Sequence, residues 1–138
     1  MRSFFDTNIL IYMYDNDAPG KKERACQLFE TEASDGRALL STQVLQEFYV
    51  SVTRKLAVPL FPEEAEVVLR HLSLLPVVQI NKDMICSAAG RSRMQRLSFW
   101  DARVIEAALA GGASRLLSED MQNGQVIDGL TIENPFAS

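Results

Sequence analysis

Histidine is almost missing from this chain, with His71 the only one. It falls beside Leu72 in a helical stretch, so a Ser-His-Asp or Cys-His centre would have to recruit it from an unpromising place. Cysteine is nearly as scarce: Cys26 and Cys86 stand alone inside helical stretches, with neither metal-type spacing nor a disulfide framework. That pattern suits a reducing compartment and buried, inert thiols. Walker-A and G-x-G-x-x-G segments are absent, which removes the usual phosphate-cradling loops. No apolar run reaches transmembrane length, and the opening M-R-S-F-F-D lacks the apolar core and cleavage site of a secretory leader. A cytoplasmic protein without a membrane partner is therefore expected. Basic excess is lacking too. The net charge of −4 argues against a free-standing, electrostatically driven nucleic-acid binder. A carboxylate site filled by cations escapes that objection, because the ions bring the local positive charge.

What the chain does have is an ordinary globular composition. Of its 138 residues, 47% are hydrophobic and 23% charged, enough for one domain, residues 1–138, to bury a core without staples. Repeats, low-complexity segments and linkers are not apparent. Ser3 to Phe5 reads as a short buried strand ending on Asp6, followed by a helix over Thr7–Tyr14 and turn residues from Asp15 to Gly20. Ala25, Leu28, Phe29 and Ala33 give Lys21–Ala33 a helical stripe. Ala38–Ser41 reads as a strand and Thr42 as the cap of a helix to about Leu56. Pro62 opens a helix to about Leu74, Pro76–Ile80 is a strand, and Asn81 caps a helix to about Arg96. Ser98–Ala110 is a helix, Arg115–Ser118 a strand, S-E-D-M-Q-N-G a loop and Leu130–Ile132 a last short strand. Strands alternating with helices predict an α/β fold whose parallel sheet is covered on both faces.

Chemistry in this chain rests on acids. Asp6 and Asp120 each end a strand, where open α/β sheets place their ligand crevice. Asp6 could equally be a helix N-cap, and Asp120 a turn residue. Asp101 shares the face of Ile105 and Ala108 at the first turn of its helix, with Arg103 and Glu106 on the other side. A charge there needs a partner, unless it closes an S-x-x-D capping box with Ser98. Glu47 lies mid-helix off the stripe of Leu45, Phe48, Tyr49 and Val52, where a solvated role competes. Four carboxylates meeting in one crevice cannot all stay ionised without cations. Oxygen-only ligands favour Mg²⁺ or Mn²⁺, and such sites serve phosphoryl transfer and phosphodiester hydrolysis.

Four short motifs, F-F-D-T-N-I-L (Phe4–Leu10), Q-E-F (Gln46–Phe48), S-F-W-D-A (Ser98–Ala102) and L-L-S-E-D (Leu116–Asp120), occur in the order that resembles the PIN domain. The likeness runs along almost the whole chain to the closing G-L-T-I-E-N-P-F. It is closest to the VapC-like ribonuclease toxins of toxin–antitoxin pairs. The resemblance implies a three-layer α/β/α fold around a short, mainly parallel sheet. It also implies a Mg²⁺-dependent endoribonuclease with Asp6, Glu47, Asp101 and Asp120 as its catalytic quartet. Asp6 and Asp101 would be direct metal ligands, while Glu47 and Asp120 would act directly or through water. Asn8 and Ser118 match positions that orient such a site. Metal-activated water would attack the phosphodiester of an RNA substrate, leaving a 3′-hydroxyl and a 5′-phosphate. A homodimer, and a cognate antitoxin inserting a basic or aromatic segment into the acidic cleft, are further implications.

Glu119 is an extra acid beside Asp120, expected on the surface by strand alternation, with an auxiliary ligand role open. Arg91, Arg93 and Arg96, followed by Phe99 and Trp100, could form an RNA-facing edge. A solvated helix face with core aromatics is the preferred reading. Other functions compete: a non-toxin PIN nuclease, a catalytically silent interaction domain of the same fold, or a hydrolase of small phosphoesters.

Overall fold

The computed structural model describes residues 1–137. Its elements in chain order are β1 (Arg2–Phe5), α1 (Thr7–Tyr12), α2 (Pro19–Ser34), β2 (Ala38–Ser41), α3 (Thr42–Arg54) and α4 (Pro62–Leu72). They continue with β3 (Val77–Val78), α5 (Lys82–Gln95), α6 (Phe99–Ala110), β4 (Ala113–Leu117), β5 (Val126–Ile127) and β6 (Leu130–Glu133). The strands form one sheet in the order β3-β2-β1-β4-β6-β5. Every pairing is parallel except that of β5 with β6.

The central strands are short apolar runs and not alternating ones. Phe4, Phe5, Leu39, Leu40, Leu116 and Leu117 are all buried, so both faces of the sheet are covered. Helices α1 to α4 pack among themselves, and α5 pairs with α6, which packs against β2 and β4. This is the expected α/β arrangement with helices flanking a mainly parallel sheet. Among the described residues no helix is long and apolar enough to cross a membrane.

Several local expectations need correcting. Helix α2 begins at Pro19, which fills the first-turn position where its missing N–H costs nothing. Ser41, and not Thr42, caps α3: its Oγ accepts from the Val44 N–H at 3.2 Å. Helix α1 stops at Tyr12 and α3 at Arg54, each shorter than periodicity suggested. The β5–β6 hairpin was not anticipated, although Asp128-Gly129 signals it. Asp128 and Gly129 have φ of 49° and 84°, the left-handed pair that a two-residue hairpin turn demands. Cys86 is exposed and not buried, because α5 buries only Ala88 of its residues.

Candidate active site

The register of β1 and β4 builds the site's floor. Phe4 pairs with Leu116 and Phe5 with Leu117, so Asp6 and Ser118 leave the sheet side by side at its carboxyl end. Strand order also reverses here: β2 and β3 lie to one side of β1, β4 and β6 to the other. Such switch points are where open α/β sheets bind ligands.

Asp6 is both an N-cap and a cleft residue, so the two readings of it are compatible. Its Oδ1 accepts from the Thr7 N–H at 2.8 Å, and its Oδ2 from the Ser118 hydroxyl at 2.7 Å. Burial raises its pKa to about 6. Those two hydrogen bonds oppose the rise, and the nearby charges of Asp120 and Glu47 add to it.

The other acids are held from neighbouring elements. Glu47, on α3, accepts from the Thr7 hydroxyl at 2.8 Å and meets Arg103 Nη2 at 3.4 Å. Asp120 accepts from Asn8 Nδ2 at 2.9 Å, while its own N–H donates to Ser118 Oγ at 3.2 Å. Asp101 lies in the first turn of α6, where its N–H donates to Ser98 Oγ at 3.0 Å. Ser98 thus caps the helix, but among the described residues nothing donates to the Asp101 carboxylate.

All four carboxylates line one open cleft of ≈ 480 Å³, together with Thr7, Asn8, Lys55, Trp100 and Arg103. They are not packed into a ready-made cage. Among the described residues no three acidic, histidine or cysteine side chains stand close enough to hold a metal ion. Thr7 and Arg103 engage Glu47, and Asn8 engages Asp120. The donor set nonetheless fits Mg²⁺ or Mn²⁺ in kind: every candidate ligand is a hard oxygen. Mg²⁺ is commonly held by one or two carboxylates and keeps several waters, so a cage of three is not required.

Several residues depart from their expected places. Arg103 was assigned to the helix face opposite Asp101, yet it lines the same cleft. Helical side chains lean toward the N-terminus, and this long one reaches Glu47 and the Trp100 ring. Trp100 is not a core aromatic: 63% of its surface is exposed. Glu119 is drawn out of the cleft by the Tyr12 hydroxyl, which donates to it at 2.7 Å, and by an ion pair with Lys21. Its side chain is largely buried and leaves no auxiliary ligand for the cleft. Arg91 is likewise engaged, pairing with Glu106 at 2.8 Å and Asp128 at 2.9 Å, while Arg93 and Arg96 are exposed. Sequence reasoning missed Thr7, Lys55 and Arg103. Only Thr7, between Asp6 and Asn8 in the first motif, carried a signal.

The family model of the PIN domain matches residues 3–123. Comparison with curated proteins gives no match. Among solved structures, a chain of a toxin–antitoxin complex from Klebsiella pneumoniae superposes with a TM-score of 0.70 at 19% identity, covering 97% of this chain and 98% of that one. VapC20 of Mycobacterium tuberculosis, a toxin that cleaves the sarcin–ricin loop, gives 0.62 at 18% identity over 83% of this chain and 86% of its own. A chain of DNA-bound VapBC from Salmonella typhimurium gives 0.66 at 20% identity, with 98% of both chains covered. At these identities the likeness is one of fold.

Proposed function

Because this chain belongs to the PIN domain family, we propose that it is a Mg²⁺-dependent endoribonuclease, the toxin of a toxin–antitoxin pair. The observation that carries this reading is the cleft itself. Four carboxylates from separate elements line it at the sheet's switch point, one of them with its pKa pushed up to about 6. A cleft that gathers carboxylates and holds one of them hard to ionise is suited to cations.

Asp6 and Asp101 would hold the ion, with Glu47 and Asp120 acting directly or through water. When bound, Mg²⁺ lowers the pKa of water and offsets charge on the scissile phosphate. The chain's own contribution is placement. Ser118 and the Thr7 N–H fix both oxygens of Asp6. Thr7 Oγ1 holds Glu47 from the same turn, and Asn8 holds Asp120. Consecutive residues of one turn thereby orient acids from α3 and from the loop after β4. Among the described residues Asp101 alone of the four keeps an unengaged carboxylate toward the cleft, which suits a direct ligand.

The complexes among the structural neighbours support an antitoxin as partner. We place its basic or aromatic segment in the acidic cleft and take the toxin to be a homodimer. The direct test is cleavage of a mixed RNA pool with Mg²⁺ and with EDTA, by wild type and by Asp6→Asn. Metal-dependent cleavage that disappears in the variant is the expected result. Cleavage that survives both EDTA and the substitution would remove the metal–carboxylate mechanism.

A further inference from the structure

The rim of the cleft carries an indole that the core does not use. Trp100 is the only tryptophan in the chain, and 63% of its surface faces solvent beside Asp101. An aromatic ring left in water forgoes a large burial gain. The ring is nevertheless held in place. The Arg103 guanidinium lies over it, 4.9 Å from the centroid, and Phe99 meets it at 77° with centroids 5.3 Å apart.

Arg103 is itself only partly satisfied. Its Nη2 reaches Glu47 at 3.4 Å, but among the described residues its buried Nε has no hydrogen-bond partner. Lys55 lines the same cleft. An acidic cleft repels phosphates, so two cations and an ordered aromatic on its wall need a purpose.

We propose that Trp100 is the platform on which one nucleobase of a single-stranded RNA stacks, next to the phosphate presented to the carboxylates. Arg103 and Lys55 face the flanking phosphates. The inference rests on the nuclease reading and deepens it by naming the residue that holds the base. Stacking on indole is open to any base, but only to a base not already stacked in a duplex. The platform therefore engages unpaired bases, and purines hold more tightly than pyrimidines because they offer the larger face.

The lone tryptophan is its own reporter. Full-length Asp6→Asn protein with Mg²⁺, which the nuclease reading makes non-cleaving, is titrated with oligoadenylate of roughly 12 nucleotides, and separately with the same strand in a duplex. The single strand is expected to quench Trp100 fluorescence saturably, and the duplex to bind about 10-fold more weakly. Trp100→Ala is expected to lower kcat/KM for RNA cleavage about 10-fold, mainly through KM, while Trp100→Phe keeps most of it. Melting of both variants by circular dichroism separates this effect from misfolding. No quenching by the single strand, or cleavage by folded Trp100→Ala at the wild-type rate, overturns the platform. Intact cleavage with a changed mass by light scattering overturns it in favour of a protein contact at the indole. Quenching without any Mg²⁺-dependent cleavage by wild type would instead sink the nuclease reading and leave a nucleic-acid platform standing.

Discussion

Ser118 has no chemistry of its own to offer, yet it touches two of the four acids. Its hydroxyl donates to Asp6 and accepts from the Asp120 N–H. Ser118→Ala leaves Asp6 with one hydrogen bond in a half-buried position. Outer-shell partners of this kind are commonly worth roughly 10–100-fold in metal affinity, and a loss in that range is expected for Mg²⁺ by isothermal titration. Wild-type affinity in the variant would show that the β4 end merely fills space. Asp101→Asn is the complementary case. Its carboxylate makes no hydrogen bond that the fold needs, so the variant should keep the wild-type melting temperature and lose Mg²⁺-dependent cleavage. Of these residues Asp101 was the easiest to find in the sequence, because a charge on an apolar helical face calls for an explanation. Arg103 was hidden: angular bookkeeping places a Cα, and a long side chain can still reach round the helix.

At the scale of elements, the conspicuous joint is Glu32, which α2 buries to 3% exposure. It accepts from Arg37 Nη2 at 2.5 Å, Ser3 Oγ at 2.5 Å and Arg115 Nη2 at 2.7 Å. The residue thus ties α2 to β1, to β4 and to the chain entering β2. Arg37 is the main cause that lowers its pKa from 4.5 to about 2, helped by Ser3 and Arg115 against the cost of burial. A carboxylate depressed on folding contributes stability that is fully present above the unfolded value and fades as pH falls toward the folded one. The metal-free protein should accordingly lose on the order of 3 kcal/mol between pH 4.5 and 2. Glu32→Gln should melt lower at pH 7 and lack that acid limb in denaturant titrations. A second joint is Gly111 at the end of α6. A Cβ there would meet Leu39 Cδ2 at 2.4 Å and Val78 Cγ2 at 2.7 Å. Gly111→Ala is expected to cost about 1–3 kcal/mol through overpacking, measured by urea unfolding. The strand runs were legible because parallel strands buried on both faces are continuously apolar. The Asp128-Gly129 hairpin was legible too, but its strand β5 has only two residues and shows no alternation to read.

For the whole molecule, metal binding and folding should be linked. A ligand that binds only the folded state stabilises it by about 2.7 kcal/mol at 100 times its Kd. For a chain of this size that is about 5–10 °C in melting temperature. Mg²⁺ is expected to raise the melting temperature of wild type and EDTA to reverse it, with little effect on an Asp6→Asn, Asp101→Asn double variant. An equal shift in that variant would place the ion elsewhere. The alternation of apolar strand runs with helical stripes and the order of four short motifs by themselves determined the fold class and the acids to watch. Those properties are local: a strand's apolar run, a cap and a turn are decided by residues a few positions apart. Which acids share a cleft depended on the β1–β4 register, which joins Asp6 to Ser118 across more than a hundred residues. Trp100 had two readings in the sequence, core aromatic or RNA-facing edge, and the tertiary structure chose between them and laid Arg103 over its ring, since exposure is set by what packs against a residue and not by its neighbours in the chain.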